Sequence, residues 1–370
     1  MGPFATDVLV EILLRLPPNS RRRSRLVCRR WRHLVDKRTT TDLRSRAQTL
    51  LVAAGAALVL GDDVGRSPRK VLASAEGRNL SVVGTCNGLI CLCDDGKPPG
   101  AVALANPATG ERLVLPPLPC GADIIIARDN PAWHSPYSFA HHQTTGRYAV
   151  VHVPCCFNRV YEFHTLQVFT LGEAAWRDVR TPWIRGAAVG CHLDIGVVSV
   201  DGATYWVAEA TDEIISFDLG DERVTPVKPL PMQVGAGAGA GWSRRRLTEV
   251  HGRLGMAIFC RSCNEERTKV WLLGSARGEQ MWALHYAVEI DVGIRRWLTH
   301  HLLMPHFRHG EHVLCVNDRD LVVYLPTTSP DGVLEIDDKD LGAVIERKCY
   351  VHKAFAHVET KEPLSIYKLW

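Results

Sequence analysis

The chain has 370 residues, 46% of them hydrophobic and 23% charged, which is the composition of a folded protein rather than a disordered one. Its 44 Lys and Arg against 40 Asp and Glu leave a net charge of +4, too even to make nucleic acid the expected partner. The most apolar window, Leu50 to Leu60, covers about half of the ~20 residues that a membrane-spanning helix needs, so no membrane association is expected. The length exceeds one ordinary compact core, so two domains or a repeat architecture are anticipated. No secretory pattern opens the chain, so the twelve cysteines are expected as reduced thiols and the compartment as cytoplasm and/or nucleus.

Near the N-terminus, Val8, Leu9, Ile12, Leu13 and Leu16 recur at i, i+1, i+4, i+5 and i+8, one apolar stripe at helical period. This spacing predicts a helix from Asp7 to Leu16 with Asp7 as its N-cap, halted by Pro17 and Pro18. Asn19 or Ser20 can then cap a second helix running through Leu26, Val27, Cys28, Trp31, Leu34 and Val35. Arginines crowd this stretch at positions 21, 22, 23, 25, 29, 30 and 32, and a smaller basic run occupies Arg244 to Arg246. A solvated face or exposed loop is the expectation for both, ahead of a nuclear-import or phosphate patch. A unit of about forty residues is near the limit of independent stability, so its apolar face calls for a partner or for the rest of the chain.

The string Asp7-Val-Leu-Val-Glu-Ile-Leu-Leu-Arg-Leu-Pro17, followed by Arg25-Leu-Val-Cys-Arg-Arg-Trp-Arg-His-Leu-Val35, resembles the F-box. In that family an LPxDLLxEILxRLP segment leads into RxVCKxWRxLI. The resemblance implies a three-helix module that docks on the Skp-type adaptor of a Skp-cullin-F-box (SCF) ubiquitin ligase. Its position-by-position implication for adaptor contacts is Val8, Leu9, Ile12, Leu13, Leu16, Pro17, Val27, Cys28 and Trp31, some of which must instead fill the module's own core. Two departures stand out: Pro3-Phe4 replaces the opening Leu-Pro, and Asn19 to Arg25 is polar where the family carries leucines and an apolar residue at Ser24. Two lost apolar contacts of roughly 1.5–3 kcal/mol each would lower adaptor affinity by about two to four decades.

From about Thr49 onward the period changes from 3.6 to 2. Short runs such as Gly88 to Cys93, Arg147 to Val153, Leu166 to Leu171 and Gly202 to Val207 alternate with turn residues at Asn87-Gly88, Asn106 to Gly110, Thr144 to Gly146, Asp201-Gly202 and His251-Gly252. More than 300 residues of strands must close or repeat to protect their edges. Units of about 40–60 residues recur, with Asn-Gly or Asp-Gly, strand, loop, strand and a Pro-Leu-Pro segment; Trp176, Trp206, Trp271 and Trp297 recur beside or within strands. Five fragments in order, beginning with Cys86 to Leu92 and Asn106 to Pro119 and ending with Lys269 to Leu273, resemble the F-box-associated region of plant F-box proteins, which implies a kelch-like β-propeller. The expected fold class is α+β multidomain: an F-box over 1–40, a linker over 41–48 and an all-β substrate-recognition domain over 49–370, with a two-sheet sandwich as the alternative.

Candidate chemical sites are few. Cys260-x-x-Cys263 lacks the second ligand pair of a zinc site, and His300, His301, His306, His309 and His312 include no HExxH. Val234 to Gly241 is glycine-rich but lies between Pro229-Leu-Pro231 and Arg244, not between a strand and a helix, so a flexible loop is expected instead of a dinucleotide site. No cofactor, metal or catalytic constellation is expected. The resemblance implies a non-catalytic adaptor that binds the Skp-type protein, through it cullin, and a target held on propeller loops. Asp129 to Ser138, Gly235 to Trp242 and Pro305 to His312 are the candidate loops, with Trp133, Tyr137, Trp242 and Phe307 as candidate aromatic anchors. The alternative readings are a ligand- or glycan-binding propeller with a degenerate F-box, and an enzyme in the manner of kelch-fold oxidases.

Overall fold

The structure is a computed structural model that describes residues 5–368 except 17, 40–46, 54–55, 74–79, 97–99, 120–131, 143–144, 154–164, 182–190, 209–210, 231–241, 262–264, 277–278, 292–299, 318–319, 337–339 and 347–350. Three short helices come first: α1 Thr6–Arg15, α2 Pro18–Ser24 and α3 Arg29–His33, the last running on into a wider turn over Leu34–Arg38. Two expectations need correction. Ala5, not Asp7, occupies the N-cap of α1, and Asp7 lies in the first turn, where its carboxylate still complements the helix dipole. The second helix is not continuous, because Cys28 is fully extended at φ −163 and ψ 172 and separates α2 from α3. Leu9, Val10, Leu13 and Leu34 bury together, with Leu14, Leu16, Trp31 and Val35 packed around them.

Three hairpins of the β region turn on the residues expected. Asn87-Gly88, Asp201-Gly202 and His251-Gly252 carry positive φ at both positions, the mirror-image turn whose twist matches that of the flanking strands. Among the described residues the strands build six sheets, antiparallel throughout except where Leu334–Ile336 pairs parallel to the outermost long strand of the fifth. Blade 1 holds Gln48–Ala53, Ala56–Leu60 and Arg69–Ala73 with Lys353–His357 on its inner side, and blade 2 holds Leu80–Cys86, Leu89–Asp94, Ala101–Ala105 and Arg112–Val114. Tyr137–His142, Arg147–His152, Thr165–Thr170 and Arg177–Arg180 form blade 3; Val198–Val200, Ala203–Val207, Ile214–Asp218 and Val224–Pro226 form blade 4. Blade 5 is built from the long strands Trp242–Val250, Arg253–Arg261, Glu265–Ala276 and Glu279–Asp291, and blade 6 from His300–Leu302, His312–Asn317, Asp320–Tyr324 and Leu341–Glu346.

Alternation of side chains across each strand closes the sheets into a ring. Leu50 and Val52 point into a cluster shared with blade 2, through Ile90 and Leu92, while Leu51 between them joins Leu314 and Val323 of blade 6. The same holds around the molecule: Tyr137 and Phe169 meet Leu104, Trp206 and Phe217 meet Val151, Trp282 meets Val207, and Tyr286 meets Val313. The core is therefore six inter-blade layers and the fold a six-bladed β-propeller, not a two-sheet sandwich. One recurring tryptophan, Trp176, and one outside that series, Trp282, hold the proline-rich segments. Trp176 of blade 3 donates its indole N–H to Pro116 O at 2.8 Å, and Trp282 of blade 5 donates to Lys228 O at 2.7 Å, so proline-rich segments after blades 2 and 4 are pinned by the next blade.

The ring is closed by its ends. Lys353–His357 pairs antiparallel with Gln48–Ala53, with Leu50 opposite Phe355. The C-terminal tail then folds back over blade 2, where the Asn106 side chain donates to Thr360 O at 3.2 Å and Glu362 O at 2.8 Å and Leu364 is fully buried. Gly88 lies directly beneath this tail, and a Cβ there would overlap the Val358 carbonyl oxygen and the Thr360 side chain at a φ of +82. Gly88→Ala is expected to cost more than about 1 kcal/mol and to lower the melting temperature clearly. Gly110→Ala, at φ +74 with nothing within 4 Å, serves as the control and is expected to cost less. Equal melting temperatures for the two variants would contradict the role given to the tail.

Candidate functional site

Each blade presents its innermost strand to the central axis, which in blade 1 is the C-terminal Lys353–His357, and the helical module sits over one end of it. A cavity of about 280 Å³ is lined by Thr85, Ser138, Ser199, Glu249, His306 and Ala356 from the six blades, and from the N-terminal segment by Arg21, Val35, Thr39 and Ala47. The turns Asn87, Gly202 and Gly252 border it, so the module covers the face on which the inner hairpins turn.

Burial sorts the candidate adaptor contacts. Leu9 and Leu13 are core residues at 5% and 0% exposure, and Leu16 and Trp31 pack partly against them, so these four are not free contact side chains. Val8 and Ile12 stand one turn apart on the outer side of α1, exposed by 47% and 42%. Val27 is exposed by 63% and Cys28 is exposed, in the extended break between α2 and α3. Pro17 lies outside the described residues. Leu26, beside Val27, is the most exposed large apolar side chain among the described residues at 81% and is absent from the candidates drawn from the sequence. The helix expected to run through Leu26 would have placed it on a regular face; the break at Cys28 turns it outward.

One arginine of the basic stretch takes part in the module's own structure. Arg21 is turned inward, its Nε donating to Leu13 O and its Nη2 to Leu16 O, both at 3.0 Å. These carbonyls belong to the end of α1, where Leu13 O also accepts from the Leu16 N–H at 3.2 Å and the prolines that follow, Pro17 and Pro18, have no N–H to offer. Burial lowers the guanidinium pKa, offset in part by Tyr148 and Glu362 of the propeller. Ser24, where an apolar residue was anticipated, is buried and bonds back to Ser20 O at 3.1 Å. Arg21→Ala is expected to speed amide exchange along the last turn of α1 and to weaken any partner of that helix by about tenfold, a loss of one to two charge-assisted hydrogen bonds. The exposed Arg23→Ala should change neither, and identical exchange in both variants would contradict the capping role.

On the target side the aromatic candidates fare differently. Tyr137 is 2% exposed and Phe307 is fully buried, each in an inter-blade core, and Trp133 is half-buried against the same layer as Tyr137. Tyr137 and Phe307 are therefore core residues and not the anchors expected, while Trp133 keeps part of its surface exposed. Of the candidate loops, Pro305 to His312 is an inner wall: Leu314 donates to Phe307 O, and His309 bridges Thr49 and Gly61 O of blade 1. The side chain of Trp242, and residues 235–241 before it, lie outside the described residues, as do 129–131 of the first loop. Cys260 is exposed on blade 5 and Cys263 lies outside the described residues, among which no group of three metal-ligating side chains occurs. The described cysteines carry free thiols. Among the described residues no helix is long and apolar enough to cross a membrane.

Comparison with known proteins adds the decisive observation. The model of the F-box associated beta propeller domain matches residues 66–325, and that of the F-box domain matches residues 6–41. The chain belongs to the F-box-associated β-propeller family. An F-box protein of Arabidopsis thaliana is 26% identical over 281 residues, 72% of this chain and 62% of the relative. An F-box/kelch-repeat protein of the same plant is 23% identical over 317 residues, covering 76% and 68% of the two chains, and an F-box/LRR-repeat protein is 24% identical over 368 residues, covering 92% and 81%. The chain thus spans about three fifths of the first relative's length. In F-box terms, the exposed Val8, Ile12, Leu26 and Val27 belong to the matched module, while Lys353–His357, which closes the propeller, lies beyond the matched F-box-associated region.

Proposed function

We propose that the chain is the substrate-recognition subunit of an SCF-type ubiquitin ligase. Val8, Ile12, Leu26, Val27 and Cys28 grip a Skp-type adaptor, cullin is joined through that adaptor, and the propeller face away from the F-box holds a target protein. The observation that carries this reading is an apolar surface without a purpose inside the chain. Four large side chains are exposed by 42–81% on a module whose own core, Leu9, Val10, Leu13 and Leu34, is already complete. The fold beneath supports it, because the F-box sits over one mouth of the channel.

The chain contributes no catalytic residue in this reading. It holds the target near a ubiquitin-loaded enzyme, so that transfer becomes effectively intramolecular. The setting is the cytoplasm, the nucleus or both. A mixture of the folded chain with a plant Skp-type adaptor is expected to elute from a sizing column as a 1:1 complex that also retains cullin. Separate elution of a properly folded chain would sink the proposal and leave the propeller as a binding module of another kind.

A further inference from the structure

Five serine or threonine residues of the chain precede a proline: Ser67, Ser135, Thr181, Thr225 and Ser329. A proline in that place matters to an enzyme that modifies hydroxyls. It has no N–H, so an apolar enzyme pocket can enclose it without stranding a donor. Only Ser67 and Thr225 also carry a lysine three residues on, in Ser67-Pro68-Arg69-Lys70 and Thr225-Pro226-Val227-Lys228. The fold separates these two. Thr225 lies within the strand Val224–Pro226, opposite Ser216 in the ladder, and its hydroxyl meets Ser216 Oγ at 2.9 Å. Ser67 is exposed in the loop between Ala56–Leu60 and Arg69–Ala73 of blade 1, outside any strand, and its hydroxyl bonds to no described residue.

Strand register puts Gln48 opposite His357, Thr49 opposite Leu60 and Val59 opposite Arg69. Two strand starts and two strand ends therefore gather at one end of blade 1, and the Ser67 loop extends beyond it. Asp63 shapes the loop, accepting from the Gly65 N–H at 3.0 Å through its side chain and from the Arg66 N–H at 3.1 Å through its carbonyl. A hollow of about 520 Å³ lies there, with Ser67, Arg66, Arg69, Asp63, His357 and Glu359 in its lining. Its arginines are held by carboxylates: Arg66 Nε faces Asp63 Oδ2 at 3.1 Å, and Arg69 pairs with Glu359, two residues past the closing strand. All four of these side chains are more than half exposed, so both pairs are weak and open to exchange.

We propose that Ser67 is a phosphorylation site for a proline-directed protein kinase, and that its phosphate takes Arg69 from Glu359. Ser67 Oγ attacks the γ-phosphorus of a nucleoside triphosphate while its proton passes to the kinase's catalytic carboxylate. The bond from that phosphorus to the bridging oxygen breaks, and the nucleoside diphosphate leaves. The product carries about −1.5 to −2 charges at pH 7. It lies next to Arg66 and two residues from Arg69, and a guanidinium forks onto phosphate as it does onto carboxylate, against a larger charge. Asp62, Asp63 and Glu359 already line the hollow, so the added charge repels the tail at Glu359 as it attracts Arg69. The modification acts on the seam of the ring, since Glu359 follows the strand that pairs with Gln48–Ala53. The site stands on the propeller alone and does not depend on the adaptor.

The test incubates the full folded chain with a proline-directed serine kinase, magnesium and ATP, and maps the phosphate by mass spectrometry. Wild type is expected to take up one phosphate per chain at Ser67, and Thr225→Ala to do the same, whereas Ser67→Ala takes up none. Ser67 is exposed and unbonded among the described residues, so Ser67→Ala should melt with the wild type, which separates a lost acceptor from a lost fold. A kinase active on a Ser-Pro-x-Lys peptide that leaves the folded chain unmodified, or that modifies another residue in place of Ser67, overturns the site. Amide exchange tests the second half. In the phosphorylated chain the tail from Val358 to Glu362 is expected to exchange about two- to fivefold faster, as for the loss of one exposed ion pair. Glu359→Gln should raise exchange alike without any phosphate. Unchanged exchange after phosphorylation would overturn the transfer of Arg69.

Discussion

A chain ending at Val351 is expected to show no cooperative melting transition, although it loses only 19 residues, 352–370. The lost strand Lys353–His357 is the inner partner of Gln48–Ala53, where Leu50 and Leu51 are fully buried and Val52 nearly so. Without it, the backbone donors and acceptors of an inner strand face the channel, and both of the apolar layers flanking blade 1 open. The tail adds Phe355 and Leu364, side chains worth roughly 1.5–3 kcal/mol each on burial. It also carries the carbonyls that hold the Asn106 side chain. Summed with the strand pairing, the loss is of the order of the whole stability of a domain, about 5–15 kcal/mol. Circular dichroism of the truncated chain on heating checks this. A transition within a few degrees of the wild type would mean that the ring does not depend on its closing strand.

Local chemistry made much of this architecture readable. Asn87-Gly88, Asp201-Gly202 and His251-Gly252 form the hairpin turns their composition demands, because only residues tolerant of positive φ fit both positions. The α1 stripe and the F-box strings likewise led to the right module. What stayed hidden was set by partners far away in the chain. Leu9 and Ile12 belong to one stripe by spacing, yet Leu34 covers the first and nothing described in the chain covers the second. Phe307 sits among histidines, proline and glycine and reads as a loop residue, but the neighbouring blades enclose it. The closing strand could not be read locally, since its pairing joins Thr49 to Ala356 across the whole sequence. Arg21 has its reason in two carbonyls on another helix.

The account's central claim is that the exposed apolar residues of the F-box grip a Skp-type adaptor, and calorimetric titration of the full chain with a plant Skp-type protein tests it most directly. The informative variant is Ile12→Asp/Val27→Asp. Both positions are exposed, by 42% and 63%, so the folded chain tolerates the carboxylates, as an unchanged melting temperature would verify. In the complex the same two side chains become buried, at roughly 1.5–3 kcal/mol each, and a carboxylate in their place adds a desolvation cost. Wild type is expected to bind with submicromolar affinity and the double variant at least two to four decades more weakly. Equal affinity in the two chains, or no binding by a folded wild type, would contradict the claim.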